Sequence, residues 1–96
     1  MNNERKAYEE KLDVQLDEWN AQIELLKARA NTVKAEARIE YYKSVETLER
    51  KQGTAEATLR ELKTSGDEAW EDLKSDAENA WVEVKTAYHD ANSRFK

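Results

Sequence analysis

Two groups of carboxylates are the residues of this chain best suited by type and spacing to chemistry: Asp13, Asp17 and Glu18, and Glu68, Glu71 and Asp72. Each group falls within one or two turns of a helix, where side chains three and four apart share a face, so either could gather oxygen ligands around a hard cation. Neither lies in a loop that could wrap such an ion, and Lys11 and Lys74 stand alongside. The pattern reads as solvated surface charge. His89, next to Tyr88, is the only histidine and there is no cysteine, so a His/Cys metal centre has no ligand set. A boundary histidine of this kind would at most make assembly mildly pH-sensitive. A glycine-rich phosphate loop, a nucleophile elbow and a His–carboxylate motif are all missing. The sequence predicts no enzyme, no cofactor and no metal site.

What must position these residues is a helix. The chain has 96 residues, 39% of them charged, with two glycines and no proline. Ala, Glu, Lys, Leu and Arg dominate, and all cost little in a helix. Only 16 residues are Leu, Ile, Val or Phe, which is few for a solitary core at this length. The net charge is −5: residues 1–66 carry 13 acidic and 12 basic side chains, residues 67–96 carry 8 and 4. The stretch from Lys27 to Lys51 is locally basic, with seven Lys or Arg against four Glu, but both signs alternate along it. This is the pattern of a solvated helix face and not a nucleic-acid footprint or a polybasic membrane anchor. No apolar run reaches signal-peptide or membrane-spanning length, so a cytoplasmic location is expected.

From Leu12 the apolar residues step by four and three through Leu16, Trp19, Ile23, Leu26, Ala30, Val33 and Ala37. That is a heptad pattern. After a stutter of two four-residue steps through Tyr41 and Val45, the stripe resumes at Leu48, Gln52, Ala55, Leu59 and Leu62. Beyond it the rhythm is eleven residues: Ala69-Trp70-Glu71-Asp72-Leu73-Lys74 is answered by Ala80-Trp81-Val82-Glu83-Val84-Lys85, and Leu62, Leu73, Val84 and Phe95 share the step. Eleven residues are close to three helical turns. The expected fold class is all-α: one domain over 1–96, a long amphipathic helix or helical hairpin that assembles as a coiled coil or helical bundle. Because the stripe keeps its phase past Gly53 and Gly66, one continuous helix is favoured, reaching roughly 135 Å at 1.5 Å per residue. A hairpin turning at Gly53 and a shorter return helix after Gly66 are the alternatives.

A rod of that kind cannot bury its own stripe and needs a partner, most simply a second copy of itself. The predicted oligomer interface is Leu12, Leu16, Trp19, Ile23, Leu26, Val33, Leu48, Leu59, Leu62, Trp70, Leu73, Trp81, Val84 and Phe95. A second stripe, Val14, Ala21, Leu25, Ala28, Ala35, Ile39 and Tyr42, lies two residues on, about 200° round the helix. Leu25, Ile39 and Tyr42 are large for incidental filler. Val14, Leu25, Ile39 and Tyr42 are therefore predicted to form a second interface in a bundle of three or more helices. The three tryptophans fit helix packing against small Ala neighbours; lipid binding is the other use of such residues, and the acidic polar face around Trp70 and Trp81 opposes anionic lipid.

Tyr8, Lys11-Leu12, Gln15-Leu16, Glu18-Trp19, Ile23 and Leu26, then Leu59, Glu61-Leu62-Lys63, the two Ala-Trp units, Ala91 and Arg94-Phe95 together resemble a family of short coiled-coil proteins of cyanobacteria and proteobacteria described as stress-response proteins. The resemblance runs over nearly the full length. It implies an all-helical, non-enzymatic protein of the bacterial stress response, and it brings no catalytic residues. Gly53 departs from the helix former expected there. The function expected is that of a structural or interaction protein acting by self-association, with an unknown protein partner open. The alternative is an amphipathic stress protein, loosely folded when free, that gains helix on membranes or client surfaces.

Overall fold

Residues 2–93, the part of the chain that the computed structural model describes, form three α-helices and no strand: α1 (Asn2–Ala30), α2 (Ala35–Thr64) and α3 (Asp67–Ser93). The helical composition is thus expressed as three elements of nearly equal length rather than one rod. The molecule measures 51 × 18 × 18 Å, one helix long and about two helices across.

The expectation of a continuous helix is corrected at two places. The first break, residues 31–34, has neither glycine nor proline. Asn31, Thr32 and Val33 are all poor helix formers, and Asn and Thr compete locally for backbone groups. Thr32 donates its N–H (2.9 Å) and its hydroxyl (2.7 Å) to the Arg29 carbonyl, which satisfies a carbonyl that the end of α1 leaves open. Lys27 and Arg29 in the last turn complement the helix dipole. The second break lies at Gly66, one of the two alternatives to the continuous helix: Ser65 closes α2 with an extended backbone and its N–H on Leu62 O at 3.3 Å, and the Trp70 N–H to Gly66 O bond at 3.0 Å opens α3. At Gly53 there is no break, and it lies exposed in the interior of α2.

The ion pairs report the topology. Along α1 the partners on α2 descend as the numbering rises, Asp13 with Lys63 (2.7 Å) and Lys27 with Glu49 (3.0 Å), so the two helices are antiparallel. Lys51 and Glu83 (3.1 Å) join α2 to α3. The contacts between α1 and α3 ascend together: Tyr8 with Trp70, Trp19 with Trp81, Gln22 with Tyr88. The order is up, down, up, with α1 and α3 parallel.

Side-chain size sets the spacing of the three helices. Helices approach more closely where the contact is made of small residues, and α3 turns buried Ala77, Ala80, Ala87 and Ala91 into the bundle. It packs most closely on α2. Between α1 and α3 the backbones stand further apart and aromatic rings fill the gap, Tyr8 edge-on to Trp70 at 5.6 Å and Trp19 tilted on Trp81 at 5.4 Å. Both geometries are favourable for ring pairs.

Candidate interaction surfaces

The main apolar stripe is the core of a single chain. Leu12, Leu16, Ile23, Leu26, Leu48, Leu59, Leu62, Trp70, Trp81 and Val84 are buried, and Trp19, Val33 and Leu73 are half-buried against them. Phe95 lies outside the described residues. The side chains expected to meet a second copy meet the chain's own other helices instead. Among the second-stripe residues, Val14 is 56% exposed, Leu25 54%, Ile39 65% and Tyr42 44%. The bundle has three helices, but this stripe faces outward from it. The Tyr42 hydroxyl donates to Asn31 Oδ1 at 3.2 Å. Val82 on α3 is a further exposed aliphatic side chain, at 59%.

Polar side chains that the heptad pattern passes over fix the register of α1 against the other two helices. Trp70 Nε1 donates to Glu9 Oε2 at 3.0 Å, Trp81 Nε1 donates to Gln15 Oε1, and the Tyr88 hydroxyl donates to Gln22 Oε1 at 3.0 Å. Buried Gln52 on α2 donates to Asn20 Oδ1. The Glu9, Gln15 and Asn20 bonds tie up half-buried polar atoms, which a one-turn slip would leave unpaired, while the Tyr88–Gln22 bond lies exposed. One signal for the pairing is present in the sequence: Gln15 and Gln22 are a heptad apart, as are Trp81 and Tyr88.

At the end of the bundle where α2 meets α3, Arg5 joins all three helices. Its Nε pairs with Glu9 at 3.0 Å, its Nη1 with Asp67 at 3.1 Å, and its Nη2 donates to the carbonyls of Leu62 (3.0 Å), Lys63 (3.2 Å) and Ser65 (2.7 Å). The guanidinium also lies 5.7 Å from the Trp70 ring, and Lys74 Nζ sits 5.0 Å from Tyr8 and 5.6 Å from Trp70. These cation–ring distances are attractive ones. Burial, and then the charge of Glu78, raises the Tyr8 phenol above its ordinary range.

Neither carboxylate group gathers into a cation site. Asp13 is engaged by Lys63, while Asp17, Glu18, Glu68, Glu71 and Asp72 are exposed. Among the described residues no three His, Cys, Asp or Glu side chains converge so as to hold a metal ion. His89 is exposed on α3. The hydrogen bond and charge of Glu49, with Glu24 adding to them, raise the Lys27 ammonium above the ordinary lysine range; as a half-exposed surface pair it contributes little to stability. Among the described residues no helix is long and apolar enough to cross a membrane.

No family model, curated protein or solved structure matches this chain. The functional reading therefore rests on its surfaces. The inner stripe is satisfied within the chain, the outer stripe is not, and charged residues of both signs border the latter: Glu24 and Arg29 beside Leu25, and Glu36, Arg38, Glu40 and Lys43 beside Ile39.

Proposed function

We propose that this is a non-enzymatic helical interaction protein of the bacterial stress-response type, acting by self-association. The observation that supports this most directly is the exposure of Val14 and Leu25 on the outer face of α1, and of Ile39 and Tyr42 on that of α2, in a bundle whose core is already filled by other residues. A second copy is the occupant favoured by charge. A face edged by alternating Lys, Arg and Glu is complementary to itself under two-fold symmetry, whereas anionic lipid would require a basic border. The stress-response assignment is supported by the resemblance carried by Tyr8, Lys11-Leu12, Glu18-Trp19 and the two Ala-Trp units.

Each helix offers only two such side chains and stable interfaces bury about 1,200–2,000 Å² in total, so the association is weak and concentration-dependent. Light scattering over a concentration series, from low micromolar to millimolar, should show the parent moving from one chain's mass towards two. Leu25→Glu/Ile39→Glu should keep one chain's mass throughout and an unchanged circular dichroism spectrum. A parent that stays at one chain's mass at every concentration refutes the reading. So does binding to zwitterionic vesicles instead, with a gain in helix that the double variant loses.

A further inference from the structure

The two-residue bend between α2 and α3 contains nothing that forbids helix. The chain has no proline, and no residue among those described has a positive φ. A Cβ built on Gly66 meets nothing within 4 Å. Ser65, at φ −77 and ψ 153, departs from helical geometry essentially in ψ alone. The apolar phase does not oppose straightening either, since Leu62, Leu73 and Val84 are each eleven residues apart and three helical turns would keep them on one stripe.

Arg5 occupies carbonyls at the end of α2 and within the bend. In an unbroken helix the carbonyls of Leu62, Lys63 and Ser65 would accept from the N–H groups four residues on. In the bundle one Arg5 nitrogen donates to all three, its other terminal nitrogen pairs with Asp67 just past the bend, and Glu9 holds Nε. At Leu62 O the guanidinium shares the carbonyl with the Ser65 N–H (3.3 Å) and hydroxyl (2.8 Å), and at the Lys63 and Ser65 carbonyls it stands in for the hydrogen bonds that straightening would restore, the Ser65 bond at 2.7 Å being the shortest of the Arg5 contacts.

We infer that Arg5 latches the bend, and that the chain has an open form in which residues 35–93 run as one helix and α3 packs on the α1–α2 pair of a second copy. The register supports this reciprocal exchange. Lys51 and Glu83 stand sixteen residues either side of Asp67. Two straightened helices lying antiparallel therefore set Lys51 of one copy against Glu83 of the other, and cross at Asp67, flanked by the small residues Ser65, Gly66 and Ala69. The core contacts are the same in both forms. The balance lies between the bend, held by Arg5, and the effective concentration that favours α3 folding back on its own chain. The inference does not depend on the outer stripe, which would join intact bundles.

Ser44 and Asp90 line the same groove between α2 and α3. They are 46 positions apart in the sequence, which in a straightened helix would span about 69 Å. Because the chain has no cysteine, Ser44→Cys/Asp90→Cys takes two spin labels cleanly, and dilution with unlabelled chain leaves only the distance within a chain to be read by pulsed electron resonance. In the parent the short distance should dominate. With Arg5→Ala added, the distance near 70 Å should appear together with the mass of two chains, at a dimer dissociation constant at least about tenfold lower. Gly66→Ala, which leaves Arg5 in place and favours helix at the bend, should shift both readings the same way. Short distances in both helical variants at every concentration overturn the inference. A dimer that keeps the short distance overturns it as well, while supporting association through the outer stripe. If Arg5→Ala loses its helix, Gly66→Ala alone decides.

Discussion

Leu25 and Leu26 are neighbours on α1, 100° apart round the helix, and the fold assigns them opposite fates: Leu26 is 2% exposed and Leu25 54%. Leu26 belongs to the same buried cluster as Val45 and Leu48, at the level where Lys27 reaches Glu49 across the α1–α2 contact. Leu26→Ala removes buried carbons and leaves a cavity that helices held on both sides cannot fully close. The cost should be about 2–5 kcal/mol, a large share of the roughly 5–15 kcal/mol that holds a domain together. At about 4–8 °C per kcal/mol for a domain of this size, even the lower end lowers Tm by roughly 10 °C. Leu25→Ala loses a side chain already half in water, and alanine is the better helix former, so its effect should be within about 0.5 kcal/mol. Urea unfolding followed by circular dichroism, at a concentration where the parent is one chain, reads both. If Leu25→Ala destabilises as much as Leu26→Ala under those conditions, α1 is rotated relative to this packing and the division into core and outer stripe is wrong.

The buried stripe was legible because its period is enforced residue by residue: Leu12, Leu16, Ile23 and Leu26 on α1 and Leu48, Leu59 and Leu62 on α2 occupy the positions that heptad spacing selects. The chain reversals were not legible from that stripe. Each helix of an antiparallel bundle presents the same kind of face to a common core, so the phase that passes unbroken from Leu62 to Leu73 is as compatible with a bend at Ser65-Gly66 as with a straight rod. Preserved phase argues for helix on both sides and says nothing of what lies between. Glycine was a poor guide as well. Gly53 is absorbed in α2 at a small propensity cost, whereas the reversal at 31–34 is made by Asn31, Thr32 and Val33, whose individual preferences are slight and whose sum is enough. Arg5 could not be singled out, because it sits in the charged run Glu4-Arg5-Lys6 and its partners on α2 and α3 lie 57 to 62 residues away. The aromatic rungs left a fainter mark: Tyr8 and Trp19 are eleven apart, as are Trp70 and Trp81, and it is these two pairs that α1 and α3 bring together.

Gly53→Ala should stabilise the bundle by up to about 1 kcal/mol, since the position is helical and exposed and the new methyl group meets nothing within 4 Å; a loss of stability in urea unfolding would mean that α2 is not helical there. The second expectation concerns alkaline pH. Tyr41 is 2% exposed, and burial pushes its phenol up to about 12, with the charge of Arg29 pulling back against it. In the unfolded chain it titrates near its ordinary value of 10.0. Below that value the phenol is protonated in both states and contributes no pH dependence. As pH rises towards the folded value only the unfolded state ionises, so the folded state loses stability progressively, at about 1.36 kcal/mol per pH unit. Between about pH 9 and pH 11.5 the loss specific to this residue should reach about 2 kcal/mol. Tyr41→Phe has no proton to lose and should lack that part of the decline, every other side chain being common to the two proteins. Equal declines in parent and Tyr41→Phe over this range would show that the Tyr41 phenol is not held protonated by the core.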